Sequence, residues 1–243
     1  MEKSIFLEYT TPPQKRAASK QRPKMSWDKV VDRVARIVFR LLAGDLAGTC
    51  FAISIGTSPQ SEATYYMFAT AWHVVKDITG SHQPIYMVAA DGKTVCEAKA
   101  GCYAVFRLGS EVFDTALIMV RSPEAIVSLR DLLPIFPPES QLPRGTEVGL
   151  VGFPGIVGSE FCFFRGTISG YLNSPPSYLV DGVAIGGVSG GPAFDNRAQI
   201  IGLVSSYIPN QVNEYMTLPG LLTLIPIGLV RYWMESKMKA MVL

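Results

Sequence analysis

The chain has 243 residues, 48% of them apolar, and a formal net charge of +2. That length and apolar content can bury a substantial core, in one large β domain or in two fused small barrels. The charge is too small to mark a nucleic-acid binder, and 17 prolines and 22 glycines spread along the chain suit an all-β fold with many turns.

Residues 1–10 carry Glu2 and Glu8 and lack the apolar core of a signal peptide. The longest apolar-rich run, residues 218–230, is broken by Pro219, Gly220, Pro226 and Gly228. It is also shorter than the roughly 20 residues a membrane span needs. No membrane span and a cytoplasmic location are therefore expected. Residues 11–24 hold Lys15, Arg16, Lys20, Arg22 and Lys24, three prolines and no acid. Residues 1–25 are read as a disordered basic arm. It is either a solvated tail or a docking segment for an activator, another acidic partner or a membrane surface.

Ser26 is placed to cap a short helix in which Trp27, Val30, Val31, Val34 and Ala35 share one face. From about Arg36 the pattern turns to alternation, with Ile37, Phe39 and Leu41 on one side and a turn at Gly44-Asp45. Strands are predicted over residues 49–55 and 65–70. Two more, over 85–90 and 93–100, flank the hairpin signal Asp91-Gly92. Residues 101–107 and 116–121 complete a first barrel spanning residues 26–122. Residues 123–142, rich in proline, read as the linker between barrels. A second barrel is expected over residues 143–243, with strands at 147–153, 161–171, 178–183, 200–206 and within 215–227. Beyond it, Val230, Trp233, Met234, Met238 and Met241 fall at helical spacing, as a helix packed on the body requires. Cys50, Cys96, Cys102 and Cys162 form no CxxC pair and no Cys/His spacing for zinc. In a reducing compartment they pack as free thiols.

The stretch Gly186-Gly187-Val188-Ser189-Gly190-Gly191-Pro192 sets one serine among four glycines and ends in a proline. Such a loop either is a plain hairpin turn or aims a hydroxyl and several amides at one point. A serine hydroxyl needs a base to act as a nucleophile, and the chain offers two histidines. His82 lies in the turn Gly80-Ser81-His82-Gln83-Pro84, whereas His73 follows the apolar run Phe68-Ala69-Thr70-Ala71-Trp72. Asp114 opens the strand Thr115-Ala116-Leu117-Ile118, where a lone acid needs a partner. Taken singly, His73 could be a satisfied histidine at a strand end and Asp114 a strand-initiating cap.

Thr70-Ala71-Trp72-His73-Val74, Asp114-Thr115-Ala116-Leu117 and Gly187-Val188-Ser189-Gly190-Gly191-Pro192 resemble, in that order, the three signatures of chymotrypsin-like (trypsin-like) serine peptidases. The compact bacterial HtrA-like branch is the most similar, here without a PDZ domain after the protease. The resemblance covers about residue 47 to the C-terminus. It implies two six-stranded antiparallel β-barrels with a C-terminal helix, and no metal or organic cofactor. It implies a serine endopeptidase of protein or peptide substrates, with a Ser189-His73-Asp114 triad and the amides of Gly187 and Ser189 as the oxyanion hole. The cysteine that follows the histidine in many secreted relatives is replaced by Val74. By the same resemblance Val183 forms the base of the substrate pocket, with a wall from Val204, Ser205, Ser206 and Tyr207. Ser205 is in reach of Asp114. An apolar base without countercharge implies cleavage after small or medium apolar residues. Asp181, on the same side as Val183 by strand alternation, is the rival determinant. A peptide-binding module that does not turn over, and a viral processing protease of the same fold, are the competing readings.

Overall fold

A computed structural model of the chain describes residues 8–10, 23–57, 63–79, 83–137, 140–158, 160–182, 185–213 and 216–242. Helix α1 (Trp27–Ala35) buries Val30 and Val34, one turn apart on one face. Ser26 stands at its N-cap with an extended backbone, but its side chain makes no cap bond. Its contribution is the carbonyl that accepts the Val30 N–H at 3.1 Å. Trp27 carries the first turn onto the second barrel, 5.5 Å from the ring of Phe163 and 6.1 Å from that of Phe194.

The first antiparallel sheet contains β2 (Val38–Ala43), β3 (Leu46–Thr57), β4 (Thr64–Thr70), β5 (Ile85–Ala89), β6 (Val95–Ala98), β7 (Tyr103–Arg107) and β8 (Ala116–Ser122). Their order is β6-β5-β2-β3-β4-β8-β7. This sheet curls into a half-barrel, since no ladder joins β6 to β7 among the described residues. Strands β4 and β8 are buried almost end to end, which explains their continuous apolar runs. Between β5 and β6 the hairpin forms as its sequence predicts. Gly92 has φ +68°, and the Asp91 carboxylate accepts the amides of Lys93 and Thr94 at 2.8 and 2.9 Å.

Strand β1 (Glu8–Thr10) pairs antiparallel with β3, Glu8 opposite Thr57 and Thr10 opposite Ile55. The disorder expected for the whole arm therefore does not hold for this tripeptide. The reason lies in β3, which outlasts β2: their pairing ends at Phe51, leaving one edge of Ile55–Thr57 open to another strand. The basic stretch 11–22 lies outside the described residues.

The second barrel closes, in the order β10-β11-β14-β13-β12-β9. Its strands are β9 (Glu147–Gly152), β10 (Cys162–Asn173), β11 (Pro176–Asp181), β12 (Pro192–Phe194), β13 (Ile200–Asn213) and β14 (Met216–Pro226). Six strands in a closed ring leave no open edge. Between the barrels, the linker docks through Ile135, which bridges Ile200. Helix α3 (Ile227–Val242) then buries Val230, Met234 and Met238 at four-residue spacing. Val230, Trp233, Met234 and Met238 of the predicted apolar stripe thus face the body, the Met241 side chain lies outside the described residues, and no helix among the described residues is long and apolar enough to cross a membrane.

Candidate active site

Three chain segments meet where the barrels face each other. The first is the end of β4. The chain does not continue as a strand there but turns into a single helical turn, α2 (Trp72–Val75), preceded by the extended Ala71. Val74 and Val75 are buried and anchor this turn, so the side chain of His73 between Trp72 and Val74 is left 48% exposed. The second segment is the start of β8. Asp114 precedes it, and its Oδ1 accepts the backbone N–H of His73 at 2.8 Å. Its Oδ2 lies 2.7 Å from His73 Nδ1. A carboxylate only accepts, so the proton sits on Nδ1 and Nε2 is the basic nitrogen. Ser205 Oγ, on β13, donates to the same Oδ2 at 3.3 Å. Burial pushes the Asp114 carboxyl upward, but the His73 side chain, its amide, its charge and Ser205 together hold it below the usual carboxylate value.

The third segment is the serine loop between β11 and β12. Gly187 has φ +101° and Gly190 φ +85°. Both are conformations that side chains other than glycine resist. Space forbids a side chain as well: a Cβ on Gly187 would run into the Phe153 carbonyl, and one on Gly190 into the Thr49 carbonyl and, at 2.8 Å, the Ala71 amide nitrogen. That last contact brings the serine loop against the entry to α2, and so beside His73. Two more bonds tie it to β13: Gly190 N donates to the Val204 carbonyl at 2.7 Å, and Val204 N to the Gly191 carbonyl at 2.9 Å. Ser205, the next residue, then reaches Asp114. Among the described residues the His73 ring is hydrogen-bonded to Asp114, and no hydrogen bond joins it to Ser189 Oγ.

Four successive peptide planes of this loop are pinned. The Gly186 carbonyl accepts Gly155 N at 2.9 Å, the Gly187 carbonyl accepts Thr49 Oγ1 at 2.7 Å, and the Val188 and Ser189 carbonyls accept Gly191 N and Thr49 N, each at 2.9 Å. In a trans peptide the N–H points opposite to the C=O. The amides of Gly187 and Ser189 are therefore fixed in direction, and among the described residues neither donates to a protein acceptor.

A model of the trypsin-like peptidase domain matches residues 48–203, more than half of the chain. The chain belongs to this family. No curated protein sequence matches it. Among solved structures, the Rv3671c protease of M. tuberculosis, in an inactive form, aligns with a TM-score of 0.58 at 20% identity, over 85% of this chain and 91% of that one. A serine endoprotease from Yersinia pestis gives 0.62 at 18% identity, over 89% and 68%. The HtrA-type protease AlgW, solved with a tripeptide, gives 0.62 at 18% identity, over 88% and 64%. These likenesses establish the chymotrypsin-like fold.

Of the residues singled out from sequence, His73, Asp114, Gly187, Ser189 and Ser205 are gathered here. Ser205 is 5% exposed, its hydroxyl on Asp114. Val183 and His82 lie outside the described residues, as does the side chain of Tyr207. Asp181, at the end of β11, is exposed and registers with Thr167 of β10. Among the described residues no cluster of three or more His, Cys, Asp or Glu could hold a metal ion. Sequence reasoning missed Thr49, fully buried and hydrogen-bonded through its amide, carbonyl and hydroxyl. It also missed Arg107, whose guanidinium lies 5.2 Å over the Trp72 ring and donates to the Glu111 carbonyl at 2.6 Å. Arg107 thus ties the turn before His73 to the loop before Asp114. Neither residue carries a motif. A threonine opening an apolar strand was the one available signal.

Proposed function

We propose that the protein is a serine endopeptidase working through an acyl-enzyme, with Ser189 as nucleophile, His73 as general base and acid, and Asp114 as the group that orients and stabilises the imidazolium. Ser189 Oγ attacks the scissile carbonyl carbon while its proton passes to His73 Nε2. The oxyanion that forms is held by the amides of Gly187 and Ser189. His73 returns the proton to the leaving amine, and water then repeats the sequence to release the acid. The observation that carries this reading is the double contact of Asp114 with His73, on the backbone amide and on Nδ1, which assigns the basic role to Nε2. It favours turnover over a silent binding module, because a half-buried carboxylate, 26% exposed, is costly to keep where no imidazolium forms.

Cleavage after small or medium apolar residues is proposed on sequence grounds, from Val183 as pocket base. The test is hydrolysis of N-acylated tripeptide p-nitroanilides ending in Ala, Leu, Phe or Lys. Wild-type protein should cleave the Ala and Leu substrates, Ser189→Ala and His73→Ala should lose cleavage, and His82→Ala should keep it. Cleavage of Ala and Leu substrates by Ser189→Ala at the wild-type rate would remove Ser189 as nucleophile. Dominant cleavage after Lys would assign the pocket to Asp181.

A further inference from the structure

Thr49, in the first barrel, grips the serine loop at two points. Its hydroxyl donates to the Gly187 carbonyl at 2.7 Å and its amide to the Ser189 carbonyl at 2.9 Å. Residue and loop are 138 positions apart in the chain, so this grip also fixes one barrel against the other. The hydroxyl is itself held, because it accepts the Phe153 amide at 3.3 Å. The Thr49 carbonyl accepts Thr70 Oγ1 at 2.8 Å, and Thr70 is the last residue of β4, two positions before the α2 turn that carries His73. A hydroxyl has one proton to give, and here it is committed to Gly187. The residue is fully buried, so solvent does not compete for either partner while the threonine is in place.

The plane between Gly187 and Val188 lies between the two planes that carry the Gly187 and Ser189 amides. Both flanking planes are pinned by other groups, Gly155 and Gly191. The middle plane has Thr49 Oγ1 on its carbonyl and, across the turn, the Ile185 carbonyl on the Val188 amide at 3.1 Å. Glycine at 187 makes its rotation sterically cheap. We propose that Thr49 is the positioning residue of the oxyanion hole: its hydroxyl sets the angle between the two amides that face the developing negative charge. This inference rests on the proposed assignment of Gly187 and Ser189 as the oxyanion donors. It predicts an effect on the tetrahedral state that binding of the planar substrate does not feel.

Thr49→Val removes the hydroxyl at constant shape, and Thr49→Ser keeps it. Both are compared with wild type for hydrolysis of an N-acylated Ala-Ala-Leu p-nitroanilide and for inhibition by the matching peptidyl boronic acid. The boronate places a tetrahedral oxygen in the hole. Thr49→Val should lower kcat about 10²-fold with KM unchanged, and weaken the boronate by a similar factor. Thr49→Ser should stay within about threefold of wild type in both. If Thr49→Val fails to fold, Thr49→Ala, which removes the hydroxyl without forcing a methyl against Gly187, is put to the same comparison. A folded hydroxyl-free variant with wild-type kcat and boronate affinity overturns the proposal, as does a Thr49→Ser variant as impaired as Thr49→Val. Wild-type protein that neither cleaves the anilide nor binds the boronate would instead sink the peptidase reading itself.

Discussion

Asp114 holds His73 from two sides: one carboxylate oxygen accepts the backbone amide at 2.8 Å and the other lies 2.7 Å from Nδ1. The first contact fixes the carboxylate to the α2 turn and the second fixes the ring to the carboxylate. The imidazole therefore cannot rotate about χ2 without losing a charge-assisted bond. Asp114→Asn presents an amide where Nδ1–H needs an acceptor, which favours the wrong tautomer. Turnover should fall about 10⁴-fold with little change in fold. Steady-state kinetics with circular dichroism on the same samples checks both halves.

The same contacts make Asp114 a pH-dependent stabiliser. Its folded carboxyl lies below the usual value, so the contribution is complete above the unfolded value, about 3.9. It is lost as pH falls through the lower folded value. Melting temperature measured down from pH 5 should drop more steeply for wild type than for Asp114→Asn, and the two curves should converge at the acid end. Parallel curves would mean that the carboxylate adds nothing to folding.

Ser205 supplies a third hydrogen bond to Asp114, at 3.3 Å. That distance is long for a hydroxyl donor. Its loss should cost about 1 kcal/mol of transition-state stabilisation, roughly a fivefold fall in kcat/KM. Ser205→Ala assayed on the Ala-Ala-Leu anilide measures it, and a 10³-fold loss would show that Ser205 takes part in the chemistry.

On the far side of the same loop, the Trp233 ring lies 4.5 Å from that of Phe113, the residue before Asp114. It also packs against Gly109, where a Cβ would come within 3.0 Å of the indole. Trp233→Ala should destabilise the fold by about 2–3 kcal/mol, below the full range for a wholly buried tryptophan because the ring is partly exposed. Tyr232, 65% exposed, should cost under about 0.5 kcal/mol when changed to alanine. Urea unfolding of the two variants separates them.

The legible parts of the sequence were those where local chemistry is extreme. A serine among glycines, an acid heading an apolar strand and a histidine after one stand out because each is costly without a partner. The strands of the second barrel were readable from alternation and turn residues. Strand β12, with three residues, is too short for a period to register, and its place is set by pairing with β9 and β13. The α2 turn was missed because Ala71 to Val75 is, His73 apart, apolar and β-branched at its end. Its helical geometry comes from the burial of Val74 and Val75. The edge role of Glu8–Thr10 depends on how far β3 outruns β2, a property of two other strands. Thr49 escaped for a similar reason: its partners, Gly187 and Ser189, are far along the chain, and only the packing of one barrel on the other brings them to it.

The central claim is that Ser189 is an activated nucleophile. Wild-type protein treated with a fluorophosphonate should gain a single adduct by intact mass, and peptide mapping should place it on Ser189. His73→Ala should react at least about 10³-fold more slowly, and Ser189→Ala should not react at all. An unmodified wild-type protein, or an adduct on another residue, would contradict the account.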